Sequence, residues 1–168
     1  MTEHEPTGSR EPGSAAEGGR VLAVCVSPGG IPKKPVERAE AREDGLVGDG
    51  HDHEKHRSNA RAILIQDDEL LEELRSEGYD VGWGAMGENL TVRGLRVQEL
   101  SPGTRLRFSG GLEVELTEPR RPCFVLDAID PNLKSDVIGR AGFMARVLRP
   151  AAIRPGEGID VLSVPGGR

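Results

Sequence analysis

Aromatic side chains are nearly absent from this chain: one Trp, one Tyr and three Phe make up 3% of it. Glycine and proline are plentiful instead, 23 and 12 of 168 residues, and that balance points to many turns and short strands. Cysteine is also scarce. Two in a domain of this size exclude a disulfide framework, and the thiols are expected to be reduced. No apolar run is long enough to span a bilayer, and no apolar segment of the signal-peptide kind lies near Met1. A soluble, cytoplasmic protein is the expectation. An excess of basic charge is missing too: 22 Lys and Arg against 28 Asp and Glu give a net charge of −6. That disfavours a general surface for nucleic acid or anionic membrane, but leaves room for a local basic pocket.

What is present reads as one domain with a real core, preceded by a tail. Residues 1–19, "MTEHEPTGSREPGSAAEGG", are polar, acidic and rich in Gly and Pro, and are expected to be flexible. The folded unit is expected over 20–164. "RVLAVCVS" and "ARAILIQ" read as buried strands and "VERAEAR" as a weakly alternating one. Residues 43–59 read as a long polar loop. "NLTVRG" and "LRVQEL" read as short strands about Gly94. "TRLRF" and "LEVELTE" alternate cleanly around "SGG" and predict a hairpin. "GFMARVLR" and "GIDVLSV" read as closing strands. "DDELLEELRSEG" is the one clear helix, with Asp67 as its cap, Gly78 as its stop, and Leu70, Leu71 and Leu74 on one face. "FVLDAI" and "KSDVIG" read as short helical turns. The fold class is therefore mainly β, a β-barrel with a few attached short helices.

Several stretches could carry chemistry. In "EPRRPCFVL" (118–126) Cys123 follows a proline and two arginines. A thiolate is the reactive form of cysteine and cationic neighbours favour it. From residue type alone Cys123 is open to four readings: core residue, half-cystine, metal ligand or reactive sulfur. Cys25, inside "VLAVCVS", reads as a buried structural thiol. "GDGHDHEKH" (48–56) gathers His51, His53 and His56 with Asp49, Asp52 and Glu54, but its spacing matches no closed zinc motif. Arg61, flanked by apolar residues, needs an anionic partner or a path to solvent; it could hold a phosphate, or pair with an acid at a strand edge. In "GAMGENL" (84–90) the glycines allow close backbone approach, and Asn89 can either read a heterocycle edge or brace a turn. Neither the phosphate-loop nor the dinucleotide fingerprint occurs, so ATP and NAD have no support.

Taken in order, "EDGLVGDGH", "ARAIL", "GENLTVRGL", "SPGTRLRF", "RPC", "GFMARVL" and "IRPGEGIDV" resemble the MOSC domain, the family named for the C-terminal domain of molybdenum cofactor sulfurases. The likeness runs from Arg20 to Val161. It implies a barrel-like fold and a link to the molybdenum cofactor, a pterin bearing a dithiolene and a phosphate. It implies that Cys123 either coordinates molybdenum or carries sulfur as a persulfide. It further implies cofactor contacts from Arg61, Arg120 and Arg121, and from Gly87, Glu88 and Asn89. Asp49 and His56 would stand at the entrance, where His56 could supply a proton. The chain has "HEKHRSN" where many small members have "HGG", and no second cysteine follows Cys123 closely.

The resulting expectation is a molybdenum-cofactor-binding protein that reduces N-hydroxylated small molecules. Its electrons would come from an external donor protein, because the sequence shows no iron–sulfur, flavin or haem motif. The alternative is a carrier that passes sulfur or cofactor to other enzymes. No pyridoxal-phosphate desulfurase domain is visible, so a sulfur donor protein would then be required.

Overall fold

The computed structural model describes residues 18–50 and 58–165, and its first strand is the apolar run Gly19–Val26 (β1). The weakly alternating segment after it divides in two. Lys34–Val36 (β2) pairs with β1, while Ala39–Arg42 (β3) leaves for a second, smaller sheet. The expected polar loop holds a further strand, Gly45–Leu46 (β4), whose two residues are buried. It is a strand because Leu46 drops into the barrel core beside Ala39 and Ala41. Ile63–Asp67 (β5) is buried along its whole length and runs straight into Asp68–Ser76 (α1).

The helix stops near Gly78, whose φ of 105° only glycine adopts without strain. Leu71 and Leu74 are fully buried and Leu70 half-buried. Asp67 occupies the cap position, yet its carboxylate makes no cap bond. It accepts instead from the backbone N–H groups of Val97 (2.8 Å) and Gln98 (2.9 Å). Leu90–Arg93 (β6) is the strand expected there, but "LRVQEL" is not a strand. Val97–Glu99 forms a 3-10 turn entered through Gly94 and Arg96, both at positive φ.

The hairpin is as expected. Arg105–Phe108 (β7) and Glu113–Pro119 (β8) pair with Leu106 opposite Val114, and both of these residues face the core. A 3-10 turn at Phe124–Ala128 and the single turn Leu133–Asp136 (α2) come next. The chain closes with Phe143–Arg149 (β9), Ala151–Ile153 (β10) and Gly158–Ser163 (β11).

The main sheet runs β11-β7-β8-β9-β5-β6-β1-β2, and β11 also pairs with β1 through Gly19 and Ile159. Seven of its eight strands therefore form a closed barrel, with β2 on the outside of β1. Closure removes the sheet edges that would otherwise invite aggregation. The β5–β6 pair is parallel, with α1 in the crossover, while the other pairs are antiparallel. Register shifts in β1, β8 and β11 bend the strands around the ring. A three-stranded sheet, β10-β3-β4, lies beside the barrel.

Among the described residues, two apolar clusters form the core. The first fills the barrel, with Phe108, Phe143, Ile63 and Ile65 among its largest buried side chains. The second lies under the helical segments: Leu71, Leu74, Val81, Met86, Leu126, Leu133, Val137 and Ala141. Through Met86 and Leu126, this second cluster pins the loop before Gly87 and the turn after Cys123 to one support. Among the described residues, no helix is long and apolar enough to cross a membrane.

Candidate functional site

A register shift in β8 shapes the site. Leu116 faces Ala145 on β9 and Glu118 faces Met144, leaving Thr117 as the extra residue. Thr117 turns its hydroxyl to the Ala60 carbonyl at 2.6 Å. Glu118 and Met144 then flank a cleft of about 240 Å³, lined also by Arg61, Leu64, Pro119, Arg120 and Arg121. Three of its seven lining residues are arginines, so the cleft suits an anion. Arg61 sits in the 3-10 turn Asn59–Arg61, just before β5 and not inside it. Its Nε donates to Glu118 at 2.7 Å, and both side chains are partly exposed.

Beyond Pro119 the chain leaves the sheet. The Arg120 N–H still donates to the Gly142 carbonyl at 2.8 Å. Gly142 has φ 100°, and a side chain there would meet the Ile65 carbonyl at 2.7 Å. Cys123 comes next, exposed and free, at the head of the turn whose Leu126 is anchored in the second cluster. Its sulfur makes no capping bond.

Arg120 joins the cleft to the cysteine. Burial pushes its guanidinium below the usual arginine range, while Cys123 and then Glu88 push it back up. Its Nη1 is buried and has no partner. Among the described residues Arg120 makes no ion pair within 4.0 Å. A desolvated guanidinium with a free donor is expensive unless something anionic meets it.

The "GEN" segment divides its labour. Gly87 packs tightly: a side chain there would press on Ile31 at 3.1 Å and approach the Arg120 guanidinium to 3.8 Å. Glu88 is buried. Its Oε2 accepts from the Gly84 N–H (2.8 Å) and the Thr91 hydroxyl (3.1 Å), and its Oε1 has no partner. Burial drives the Glu88 carboxyl upward, and Arg120 acts in the opposite direction. Asn89 spends its side chain inside the protein. Oδ1 accepts from the Leu64 N–H (3.1 Å), and Nδ2 donates to the Cys25 carbonyl (3.2 Å) and to Asp49 Oδ2 (3.0 Å). Of the two sequence-level readings of Asn89, the brace is the one these bonds describe.

Asp49, expected at the entrance, is buried. It accepts from Lys33 Nζ (2.6 Å) and the Ser27 N–H (3.0 Å) as well as from Asn89. Cys25 is fully buried beneath it, and burial, then Glu88, push its thiol up to about 12. His51, His53 and His56 lie outside the described residues. The structure thus gathers Arg61, Arg120 and Arg121 at one cleft and packs Gly87 beside the Arg120 guanidinium. Asp49 and Asn89 brace the floor.

Sequence reasoning missed Glu118, Leu64, Pro119 and Met144 as lining residues, and Lys33 as the partner of Asp49. Glu118 and Pro119 stood in the stretch that drew attention to Cys123, and an acid beside two arginines was a signal. Lys33 left none, because its loop meets Asp49 only in the fold.

A family model for the MOSC domain matches residues 52–160. A protein named "Reductase" from Gibberella moniliformis is 30% identical over 134 residues, which are 72% of this chain and 23% of that protein. The uncharacterized protein YflK from Bacillus subtilis is 31% identical over 143 residues, 80% of this chain and 63% of YflK. The chain therefore spans less than two thirds of either relative. Among solved structures, the YuaD protein from Bacillus subtilis superposes with a TM-score of 0.72 at 21% identity, covering 85% of this chain and 94% of that one. YiiM from Geobacillus stearothermophilus gives 0.71 at 24% identity, covering 86% and 75%. These likenesses show a shared fold.

Proposed function

This chain belongs to the MOSC domain family, and on that premise we propose that it binds the molybdenum cofactor, with Cys123 as the protein's ligand to the metal, and reduces small N-hydroxylated compounds. One observation carries the reading: an arginine-lined cleft, in which the buried Nη1 of Arg120 has no partner, lies three residues along the chain from a free, exposed cysteine, Cys123.

The donor set fits the group. A thiolate is a soft ligand suited to a transition metal that already carries sulfur. Among the described residues no cluster of three His, Cys, Asp or Glu side chains could hold an ion by itself. Cys123 would then contribute one ligand to a metal that arrives with its own. Arg61 and Arg121 would meet the phosphate from the open side of the cleft, and the free Nη1 of Arg120 would meet anionic or carbonyl oxygen from within. Gly87 keeps the wall beside Arg120 low. Asp49 and Asn89 hold the floor by tying the loop at 49 to β1 and β5.

When bound, the cofactor supplies two-electron oxygen-atom chemistry: R₂N–OH, two electrons and two protons give R₂NH and water. The electrons would come from a separate donor protein. The name carried by the Gibberella protein agrees with a reductive role, though it belongs to a much longer chain. The test is a turnover assay. Protein from a cofactor-making host, given a reduced external donor, should convert an amidoxime to the amidine or a hydroxylamine to the amine. Cys123→Ala should abolish that conversion. Cofactor-loaded protein that leaves a broad set of such compounds untouched contradicts the reductase reading.

The exposure of Cys123 also favours a second reading. Phe124, its neighbour, is 70% exposed, and a sulfur beside a bare apolar side chain can be met by another protein. The Cys123 thiolate would attack the outer sulfur of a donor persulfide R–S–SH, forming Cys123–S–SH and releasing R–S⁻. Mass analysis of unreduced protein after incubation with such a donor should show one added sulfur on Cys123. Its absence disfavours the carrier.

A further inference from the structure

The outer face of β7, β8 and β9 carries its charges in columns. Arg105 and Arg107 face outward from β7, Glu113 and Glu115 from β8, and Arg146 and Arg149 from β9, while Leu106, Val114, Ala145 and Val147 fill the barrel. The register sets them in two rows, Arg107–Glu113–Arg149 and Arg105–Glu115–Arg146. Glu113 is shared, with Arg107 Nε at 3.0 Å and Arg149 Nη1 at 3.9 Å. Glu115 has Arg146 Nε at 3.6 Å. Arg105, directly opposite it, makes no ion pair among the described residues. Each row thus holds one arginine more than its glutamate can match. Leu148 and Leu162, exposed on β9 and β11, border the rows with apolar surface.

The rows begin at the cleft. Along the β8–β9 ladder the next outward pair after Glu115 and Arg146 is Glu118 and Met144, which flank it. The acids of the chain concentrate elsewhere. Residues 67–80, α1 and its flanks, hold seven Asp and Glu against Arg75 alone, and α1 packs on β5 and β6. In the ring of seven strands β6 stands three places from β8, as far as the ring allows. A chain of net charge −6 therefore sets a basic face beside the cleft and an acidic one across the barrel. Exposed ion pairs add little stability, so stability alone does not account for the surplus arginines. An uncompensated row does attract and orient a surface of opposite charge.

We propose that the outer face of β7, β8 and β9 is the docking surface for the external electron donor, and that this donor is a protein with an acidic surface. The inference rests on the reductase reading and deepens it by naming where the donor sits: beside the cleft, over arginines that do not line it. The glutamate column between the arginine columns tells against a nucleic acid, whose closely spaced phosphates would meet Glu113 and Glu115 as well.

Two acidic carriers, an iron–sulfur ferredoxin and a flavodoxin, serve as probes, with binding read by calorimetry at low ionic strength. At least one should bind, and more weakly as salt rises. Arg105→Gln combined with Arg146→Gln should weaken that binding by roughly ten-fold. Arg96→Glu removes the same charge on the α1 side, beside Glu69 and Glu73, and should change binding by less than about two-fold. Glu115→Gln releases Arg146 and should strengthen binding by roughly three-fold, a gain that a purely structural lattice would not give.

Failure of both carriers to bind overturns the proposal, as does weaker binding in Glu115→Gln, or a loss in Arg96→Glu equal to that of the double variant. A single-stranded DNA of about 20 bases that binds more tightly than either carrier through the same arginines also overturns it. In cofactor-loaded protein the double variant should raise KM for the carrier and leave turnover with reduced methyl viologen unchanged. Wild type that turns over with neither reductant, while still binding the carrier, defeats the reductase reading and not the docking surface, so the two failures are distinguishable.

Discussion

Asn89 donates its amide to Asp49, Nδ2 to Oδ2, at 3.0 Å, joining residues forty positions apart beneath the candidate site. The same carboxylate takes Lys33 Nζ at 2.6 Å and the Ser27 N–H at 3.0 Å. Three donors thus depend on one buried acid.

Asp49→Ala should therefore cost about 3 kcal/mol or more, because it strands a partly buried ammonium and two further donors. Urea unfolding of the variant measures this. A loss below about 1 kcal/mol would mean that water replaces the carboxylate freely.

Asp67 makes stability depend on pH. Burial raises its carboxyl to about 6, against the opposing pull of the Gln98 and Val97 N–H groups. The folded value exceeds the unfolded one, near 4, so the fold prefers the protonated acid. This contribution is complete below about pH 4 and is lost as pH rises through about 6. Glu88, also raised by burial, acts with the same sign. Asp67→Asn should flatten the decline in unfolding free energy between about pH 4 and 6. An unchanged pH profile in that variant contradicts the assignment.

Much of this architecture is written locally. Leu106 and Phe108 alternate with Arg105 and Arg107, and Leu112, Val114 and Leu116 with Glu113 and Glu115, so the hairpin is legible without its partners. "LRVQEL" shows the limit of that method. Leu95 and Val97 are both buried two residues apart, as in a strand, but Arg96 between them is left-handed and the segment curls. Pairing between distant segments leaves no local mark either. The Gly19–Ile159 closure and the pairing of Ala39–Arg42 with Ala151–Ile153 belong to this kind. The site divides the same way. Cys123 and its arginines stood together in sequence, whereas Gly87 lies beside Arg120 only because the barrel brings the "GEN" loop against the end of β8.

The two cysteines should separate cleanly by reagent. Native protein should take up one equivalent of a maleimide, at Cys123, and denatured protein two, since Cys25 is fully buried with its thiol raised to about 12. Peptide mapping decides it, and labelling of Cys25 in native protein would contradict the described core.

Arg61 and Glu118 should have opposite effects on anion binding. Their ion pair is partly exposed, so Arg61→Ala and Glu118→Ala should each change stability by less than about 1 kcal/mol. Arg61→Ala should weaken pyrophosphate binding by roughly three-fold or more, and Glu118→Ala should strengthen it. Calorimetric titration at low ionic strength reads both, and matching signs would show that the cleft is not where the anion sits.

The most direct measurement is molybdenum and pterin content in protein from a host able to make the cofactor, compared with Cys123→Ala prepared in parallel. Equimolar metal and pterin in the wild type, with molybdenum lost from the variant, is the expected result. Wild type containing neither, or a variant that keeps its molybdenum undiminished, would contradict Cys123 as the ligand that holds the cofactor.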